Sequence, residues 1–384
     1  MSDQRRSIPI TRPFLGHEEV IEAEAAILSG WLTQGSRVAA FEEEFARFVG
    51  APHACAVSSC TAALHLALHA LGVGPGDEVV TVSHTFIATA NAARLCGARP
   101  VFVDIDPRTF NMDPTLLERA ITPRTRAILP VHQIGLPCDL ESILDIARRH
   151  QLPVVEDAAC AIGGEVLVNG EWARIGRPHG VVACFSFHPR KVITTGEGGM
   201  LTTRDPQLDR RFRRLRQHAM SLPDTVRHAS RTVVFEEYPE MGFNYRMTDL
   251  QAAVGLAQLR RLPGLLEERI RQALRYSRGL REIRGLRAPF VPCHARPNYQ
   301  SYAVEVTPDY PLSRDQLMQH LLDQGVSTRR GIMNVHQEPA YEGLGPYHLP
   351  CSEAARDSSI LLPLFPGMTD EDGDFVLREL NRFR

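Results

Sequence analysis

Short apolar runs alternate with amphipathic segments between residue 54 and about residue 201, and no other feature of the sequence restricts the fold as strongly. This alternation is typical of parallel β-strands joined by crossover helices. It predicts an α/β domain with a mainly parallel sheet flanked by helices. The predicted strands cover residues 54–57, 78–82, 99–103, 125–130, 153–156 and 181–185, and the predicted helices cover residues 61–71, 87–96, 114–120 and 140–150.

The chain has 384 residues, which is more than one domain usually needs. A capping box at Thr248 opens a long helical region, in which Pro263 is expected to kink or restart the helix. This region would connect the large domain to a smaller C-terminal α+β domain. The predicted units are an N-terminal arm at residues 1–35, the large α/β domain at 36–248, the linking helical region at 249–281 and the small domain at 282–384.

The composition disfavours several classes of partner and site. The formal net charge is −2 and no polybasic block occurs, so nucleic acids and anionic membrane surfaces are poor candidates. The arginine cluster at residues 210–216 is expected on the solvated face of a helix. No run reaches membrane-spanning length and no apolar signal core follows residues 1–6, which favours a cytoplasmic protein. The scattered cysteines predict neither disulfides nor a metal site.

Lys191 is the only lysine in the chain. The chain has 43 lysine and arginine residues together, and all the others are arginines. Arginine can serve in ion pairs and phosphate contacts, but only lysine supplies a primary amine that can form a Schiff base. Lys191 comes just after the predicted strand at 181–185, and open α/β sheets bind ligands at the carboxyl ends of their strands. The alternative is a surface lysine left by chance, which the neighbouring motifs disfavour.

Three weaker signals fall at the same end of the predicted sheet. Small and hydroxylated residues at 58–61 open a helix and predict a phosphate site, although ordinary N-capping would use the same residues. Asp157 ends a central strand and needs a cationic partner, either a protonated ring nitrogen or an arginine. Phe86 could stack on a flat ring or belong to the core. Together with Lys191, these groups match the needs of pyridoxal 5′-phosphate.

The ordered motifs resemble those of the DegT/DnrJ/EryC1/StrS aminotransferases, a fold-type-I family that acts mostly on nucleotide-linked keto-sugars. The resemblance covers nearly the whole chain. It rests on residues 29–35, 41–42, 58–68, 156–159, 185–199, 242–253 and 336–341.

The resemblance implies a role for each residue near the cofactor ring. Lys191 matches the lysine that forms the Schiff base, Asp157 the partner of the pyridine nitrogen, and Phe86 the aromatic residue that stacks on the ring. Cys160 stands beside the ring, where relatives commonly carry His or Gln, and this difference puts one polar contact in doubt. Burial beside a cationic ring is expected to lower the pKa of Lys191.

The resemblance also implies a phosphate cradle and a homodimer. Thr61, the backbone of Ala62 and Ser186 match the cradle, while Asn244 matches a residue that reaches the phosphate of the neighbouring subunit. The active sites are therefore expected to be shared. Cys60 replaces the smaller Gly or Ala usual before the threonine, which should crowd the cradle slightly.

The implied reaction moves an amino group from an amino acid, L-glutamate by analogy, to the keto group of a nucleotide-linked sugar. Arg330, His336 and Tyr341 lie in a segment that approaches the sugar in relatives, although packing would explain them equally well. A keto-cyclitol or an aminohydroxybenzoate precursor is an alternative substrate. A non-catalytic regulator that binds sugar nucleotides is an alternative of another class. Dehydratase relatives carry histidine in place of the lysine, so Lys191 disfavours that chemistry.

Overall fold

The computed structural model describes residues 7–222 and 230–383, so residues 1–6 of the predicted arm and residue 384 lie outside the described part. The chain begins with two helices, α1 (His17–Leu28) and α2 (Ser36–Val49). Gly50 ends α2 in the left-handed conformation, with a φ of 78°, which is a common way for a helix to stop.

The central layer is a mainly parallel sheet, as the sequence predicts. The first nine strands are β1 (His53–Val57), β2 (Glu78–Val82), β3 (Arg99–Val103), β4 (Thr125–Leu129), β5 (Val155–Asp157), β6 (Glu165–Val168), β7 (Glu171–Arg174), β8 (Val182–Ser186) and β9 (Gly199–Thr203), of which β6 and β7 form a separate hairpin. The others form the central sheet in the order β3, β2, β4, β5, β8, β9, β1, in which isolated bridges join β4 to β5. All neighbours from β3 to β8 are parallel, whereas β9 runs antiparallel to both β8 and β1.

Helices cover both faces of this sheet. Along β8, Ala183 and Phe185 belong to one buried apolar cluster, and Val182 and Cys184 belong to another. Successive side chains of a strand point to opposite faces, so a strand covered on both sides reads as an unbroken apolar run. The helices are α3 (Cys60–Ala70), α4 (Ala88–Leu95), α5 (Pro114–Ala120), α6 (Leu140–Arg149) and α7 (Pro206–Leu215).

A single long helix, α8 (Asp249–Leu280), links two buried cores. Leu256 packs in the core of the large sheet, and Tyr276 packs in a third apolar cluster further along the chain. The helix runs through Pro263 without ending, so the predicted restart does not occur. Leu262 and Leu265, on either side of the proline, are buried in the core of the large sheet, which favours a continuous helix.

The third cluster belongs to an antiparallel sheet in the order β10, β12, β14, β13, while β11 extends the β6–β7 hairpin. The elements are β10 (Leu286–Arg287), β11 (Ala295–Arg296), β12 (Tyr302–Val306), α9 (Arg314–Asp323), β13 (Arg329–Arg330), α10 (Pro350–Ser358), β14 (Ser359–Leu362) and α11 (Asp370–Leu380).

The arginine cluster at α7 differs from the prediction. Arg216 is only 3% exposed, and both Arg213 and Arg216 bind the buried carboxylate of Glu42. The prediction that these arginines lie on a solvated helix face is therefore wrong for Arg213 and Arg216. Their partner could not be predicted from the sequence, because Glu42 lies in α2, far away along the chain.

Across the described ranges, we find no helix that is both long enough and apolar enough to cross a membrane.

Candidate active site

Lys191 lies in the loop that follows β8. Its N–H donates to the carbonyl of His188 at 2.8 Å, which closes a turn. The residue is half-buried, and its Nζ donates a hydrogen bond to Sγ of Cys160 at 3.0 Å. The only amine side chain of the protein therefore lies at the carboxyl end of the sheet, against the segment that follows β5.

Asp157 is the last residue of β5 and is only 5% exposed. Its Oδ2 accepts a hydrogen bond from Thr89 Oγ1 at 2.7 Å, and its Oδ1 accepts one from the N–H of Ala159 at 3.1 Å. Glu156, the preceding residue, points to the opposite face, where it contacts His132 at 3.1 Å. The two adjacent acidic residues thus have different surroundings. Glu156 is buried in the fold, while Asp157 is held at the end of the strand.

Two hydroxyl groups behind Asp157 were missed by the sequence analysis. Thr85 and Thr89 lie 2.9 Å apart through their Oγ1 atoms, and Thr89 gives its only hydroxyl proton to Asp157. Thr85 is therefore the donor to Thr89, and the pair forms a short relay that fixes the carboxylate. The available signal was the spacing of four residues, which places both side chains on one face of a helical turn.

The first turn of α3 lies directly beside β9. Oγ of the N-cap Ser59 accepts from the N–H of Ala62 at 3.1 Å, so ordinary capping does occur. Gly199 pairs with Ser186, and a Cβ on this glycine would lie 2.5 Å from the carbonyl carbon of Ser59. The missing side chain lets Ser186 and Thr61 share one rim with the N-terminus of a helix, an arrangement that favours anions.

Phe86 follows β2 at the same end of the sheet. Its side chain is 70% exposed, which excludes the alternative that it belongs to the core. Its carbonyl accepts from the N–H of Thr89 at 3.1 Å, so the exposed ring is tied to the turn that fixes Asp157.

The two unusual cysteines occupy different positions in the site. Cys60 is the first residue of α3, and its Sγ donates to the carbonyl of Cys184 at 3.7 Å, toward β8. Cys160 is half-buried, and its carbonyl accepts from Asn298 Nδ2 at 2.8 Å. Cys160 therefore contacts Lys191 directly, whereas the sulfur of Cys60 is directed at the sheet.

The electrostatic surroundings of Lys191 correct one expectation. Burial lowers the pKa of Lys191, but Cys160, Cys60 and Asp157 outweigh it and raise the pKa above its usual value. The prediction of a lowered pKa relied on a cationic ring beside the amine. The neighbours that the chain itself supplies are sulfur and carboxylate groups, which favour the ammonium form.

Asn244 is exposed and lies in a segment that runs along the end of β1. The carbonyl of Tyr245 accepts from the N–H of Ser58 at 2.8 Å, and Asn244 bridges to Gln217. Behind this segment, Tyr245 contacts Nδ1 of His65 at 2.9 Å, and burial lowers the pKa of His65 to about 4. The backbone of Asn244 is thus fixed next to the first turn of α3, and the residue is exposed.

His336 is held between two partners rather than left free. Its N–H donates to Oγ of Ser83 at 3.0 Å, and its Nδ1 lies 2.6 Å from the same hydroxyl oxygen. Nε2 lies 3.3 Å from Oε1 of Glu353. These contacts attach the C-terminal region to the end of β2.

The other two residues predicted to approach the sugar, Tyr341 and Arg330, differ in exposure. The hydroxyl of Tyr341 donates to Oδ1 of Asn91 at 2.7 Å, and the residue is 3% exposed. Arg330 is exposed, and its Nη2 lies 4.0 Å from Glu338. The visible contacts of Tyr341 are those of packing, and those of Arg330 leave its guanidinium at the surface. A role of either residue in binding a sugar stays a prediction.

These groups fit pyridoxal 5′-phosphate. An aldehyde needs an amine, a protonated ring nitrogen needs a carboxylate, and a phosphate needs N–H and hydroxyl donors. Lys191, Asp157 and the first turn of α3 supply all three at one end of the sheet. The exposed ring of Phe86 adds a flat apolar surface, and Gly199 leaves open the space that a side chain would fill.

The sequence matches a family model over most of its length. The model described as the DegT/DnrJ/EryC1/StrS aminotransferase family covers residues 13–381. Spore coat polysaccharide biosynthesis protein SpsC of Bacillus subtilis is 42% identical over 375 residues, which cover 96% of this chain and 95% of that protein. GDP-perosamine synthase of Caulobacter vibrioides is 40% identical over 384 residues, which cover 100% of this chain and 99% of that protein.

The fold matches solved structures equally well. The pyridoxal phosphate form of Spr1654 from Streptococcus pneumoniae has a TM-score of 0.89 and is 27% identical, and the match covers 98% of each chain.

Proposed function

Because this chain belongs to the DegT/DnrJ/EryC1/StrS aminotransferase family, we propose that it transfers an amino group from L-glutamate to the keto group of a nucleotide-linked sugar. Membership makes it a pyridoxal phosphate-dependent sugar aminotransferase, and the donor and the acceptor are the proposed parts. The observation that carries the proposal is the placement of the only lysine beside the strand end that holds Asp157.

When bound, pyridoxal 5′-phosphate supplies an aldehyde for covalent attachment and a ring that takes up electrons from the reacting carbon. Lys191 would hold it through Nζ, and Asp157, oriented by Thr89, would keep a proton on the ring nitrogen. Thr61, the N–H of Ala62 and Ser186 would bind the phosphate.

Lys191 is also the proposed acid and base of the reaction. Its free Nζ would take a proton from the Cα of the amino-acid donor as a base and give a proton back as an acid. The loop fixed by the His188 turn holds the amine at the end of β8, where the substrate must bind.

The acceptor is proposed from the relatives. A GDP-perosamine synthase that covers the whole chain makes a nucleotide-linked sugar the first candidate. The assay offers nucleotide-linked keto-sugars and nucleotide-free ketones separately, with ¹⁵N-labelled glutamate as donor. We expect label only in the nucleotide-linked product; label in a cyclitol alone would favour the alternative substrate.

The role of Lys191 is tested by Lys191→Arg, which keeps the charge but cannot attach an aldehyde. We expect the absorbance of the attached cofactor to disappear and turnover to fall about a thousandfold or more. The reverse exchange at an exposed arginine, Arg284→Lys, serves as the control and should leave both unchanged. Full turnover of Lys191→Arg would overturn the assignment, and a wild-type protein that binds no cofactor would favour the regulator.

A further inference from the structure

The contact between Lys191 and Cys160 is built from both sides. Asn298 Nδ2 donates to the carbonyls of Cys160 and Ile162, each at 2.8 Å. Two residues later, Gln300 Nε2 donates to the carbonyl of Arg190 at 2.9 Å. The short segment from Asn298 to Gln300 therefore holds the backbone on which the sulfur sits and the backbone next to the amine.

Other charged or polarizable groups face the same amine but are engaged elsewhere. The sulfur of Cys60 donates to the carbonyl of Cys184, and Asp157 accepts from Thr89 and Ala159. Among the described residues, Cys160 is the one whose side chain forms a hydrogen bond with Lys191 Nζ.

We propose that Cys160 is a positioning residue for Lys191, whose sulfur holds the ammonium group in place and thereby controls when the amine can capture the cofactor. A covalent capture needs the neutral amine, so the proton must leave Nζ before the aldehyde is attacked. The sulfur stabilises the form that still carries this proton. The inference rests on the proposed attachment of the cofactor to Lys191.

The sign of the effect follows from the surroundings. Burial lowers the pKa of Lys191, and the contact with Cys160 is the largest influence in the opposite direction, followed by Cys60 and Asp157. Without the sulfur, burial has the larger effect on the pKa of Lys191, so the neutral amine is available at lower pH. The wild-type protein should therefore capture the cofactor faster as the pH rises.

The experiment measures the rate of cofactor capture against pH, using protein stripped of cofactor and following the absorbance of the attached form. We expect Cys160→Ala to move the midpoint of the profile down by about one pH unit, which raises the fraction of neutral amine below the midpoint about tenfold. Cys160→Ser should move the midpoint in the same direction but keep the plateau rate at high pH, because its hydroxyl still accepts from Nζ. Cys160→Ala should lose about threefold of that plateau rate, because the amine is no longer oriented.

Cys60→Ala is the matched control, since it removes a sulfur that does not contact the amine and should move the midpoint less than Cys160→Ala. Melting temperatures of all variants separate loss of fold from loss of capture. Equal midpoints in the wild type and both Cys160 variants would overturn the inference, and a larger shift in Cys60→Ala than in Cys160→Ala would do the same. Capture by Lys191→Arg would instead overturn the proposed attachment, so the two failures are distinguishable.

Discussion

At the scale of single residues, the site depends on how each functional group is held. Asp157 receives one hydrogen bond from its own turn and one from Thr89, whose hydroxyl is oriented in turn by Thr85. A buried carboxylate that loses a donor is destabilised and less well oriented. Thr89 is therefore part of the apparatus that presents Asp157, although the sequence motif that identifies Asp157 does not include it.

Thr89→Val removes this donor while preserving shape. We expect the dissociation constant of the cofactor to rise about tenfold, which corresponds to a hydrogen bond of about 1.4 kcal/mol to a charged group. Thr81→Val is the matched control, because Thr81 is equally buried but donates to the carbonyl of Leu129. Equal cofactor affinity in Thr89→Val and Thr81→Val would show that Thr89 has no special role.

At the scale of elements, a buried ion network joins α2, β1 and α7. Glu42 of α2 accepts from Arg213 and Arg216 and from the N–H of Ala56 at 2.9 Å. Arg216 also donates to the carbonyl of Ala56, in β1. The network fixes β1, the strand that leads into α3, so its integrity affects the position of α3.

Glu42→Gln leaves the guanidinium of Arg216 buried without its charged partner. We expect the free energy of unfolding to fall by about 3–5 kcal/mol, as measured by denaturant titration. The adjacent Glu43 pairs with Arg47 at the surface, where the two side chains are 76% and 67% exposed. Glu43→Gln should change the stability by less than about 1 kcal/mol, and similar losses in both variants would contradict this account.

The same carboxylate predicts a dependence of stability on pH. Burial raises the pKa of Glu42, but Arg216 and Arg213 outweigh it and lower the pKa below its usual value. Its stabilising contribution is therefore complete above the pKa of an unfolded glutamate, about 4.3, and is lost as the pH falls through the lower folded value. The melting temperature of the wild type should drop below about pH 4, and that of Glu42→Gln should drop less over the same range.

At the scale of the whole molecule, distant parts of the chain meet around the site. α8 packs against both the large sheet and the C-terminal sheet, and Asp104 at the end of β3 accepts from the N–H groups of Cys351 and Ser352 at the start of α10. The contacts of His336 and of the segment from Asn298 to Gln300 add further ties. The C-terminal region is thus bound to the end of the sheet where Lys191 lies.

The exposed Asn244 leads to a prediction about the assembly. If it binds the phosphate of a second subunit, Lys191→Arg and Asn244→Ala should each be inactive alone. Mixed at equal amounts and allowed to exchange subunits, they should recover about a quarter of the wild-type turnover, because half of the dimers are mixed and each has one intact site. No recovery despite verified exchange of subunits would contradict shared sites.

The sequence by itself determined the features that depend on neighbours along the chain. The predicted capping box at Thr248 forms, as do caps at Asp113, Ser313 and Thr369, because a cap needs only residues two or three positions apart. The parallel strands were predicted to within two residues at each end, because buried runs bounded by turns are local signals. The ordered motifs likewise identified the family.

Only the tertiary structure decided the rest. β9 was not predicted, since its place depends on pairing with β1, which lies far away along the chain. The β6–β7 hairpin was also missed, although its turn at Asn169 and Gly170 is a local signal. Three contacts join residues that no spacing rule connects: Arg216 with Glu42, His336 with Ser83, and Lys191 with Cys160. These contacts are non-local, so their energy appears only after the chain has closed the loops between them. Local sequence set the chemistry that is available, and the fold determined which groups surround the amine.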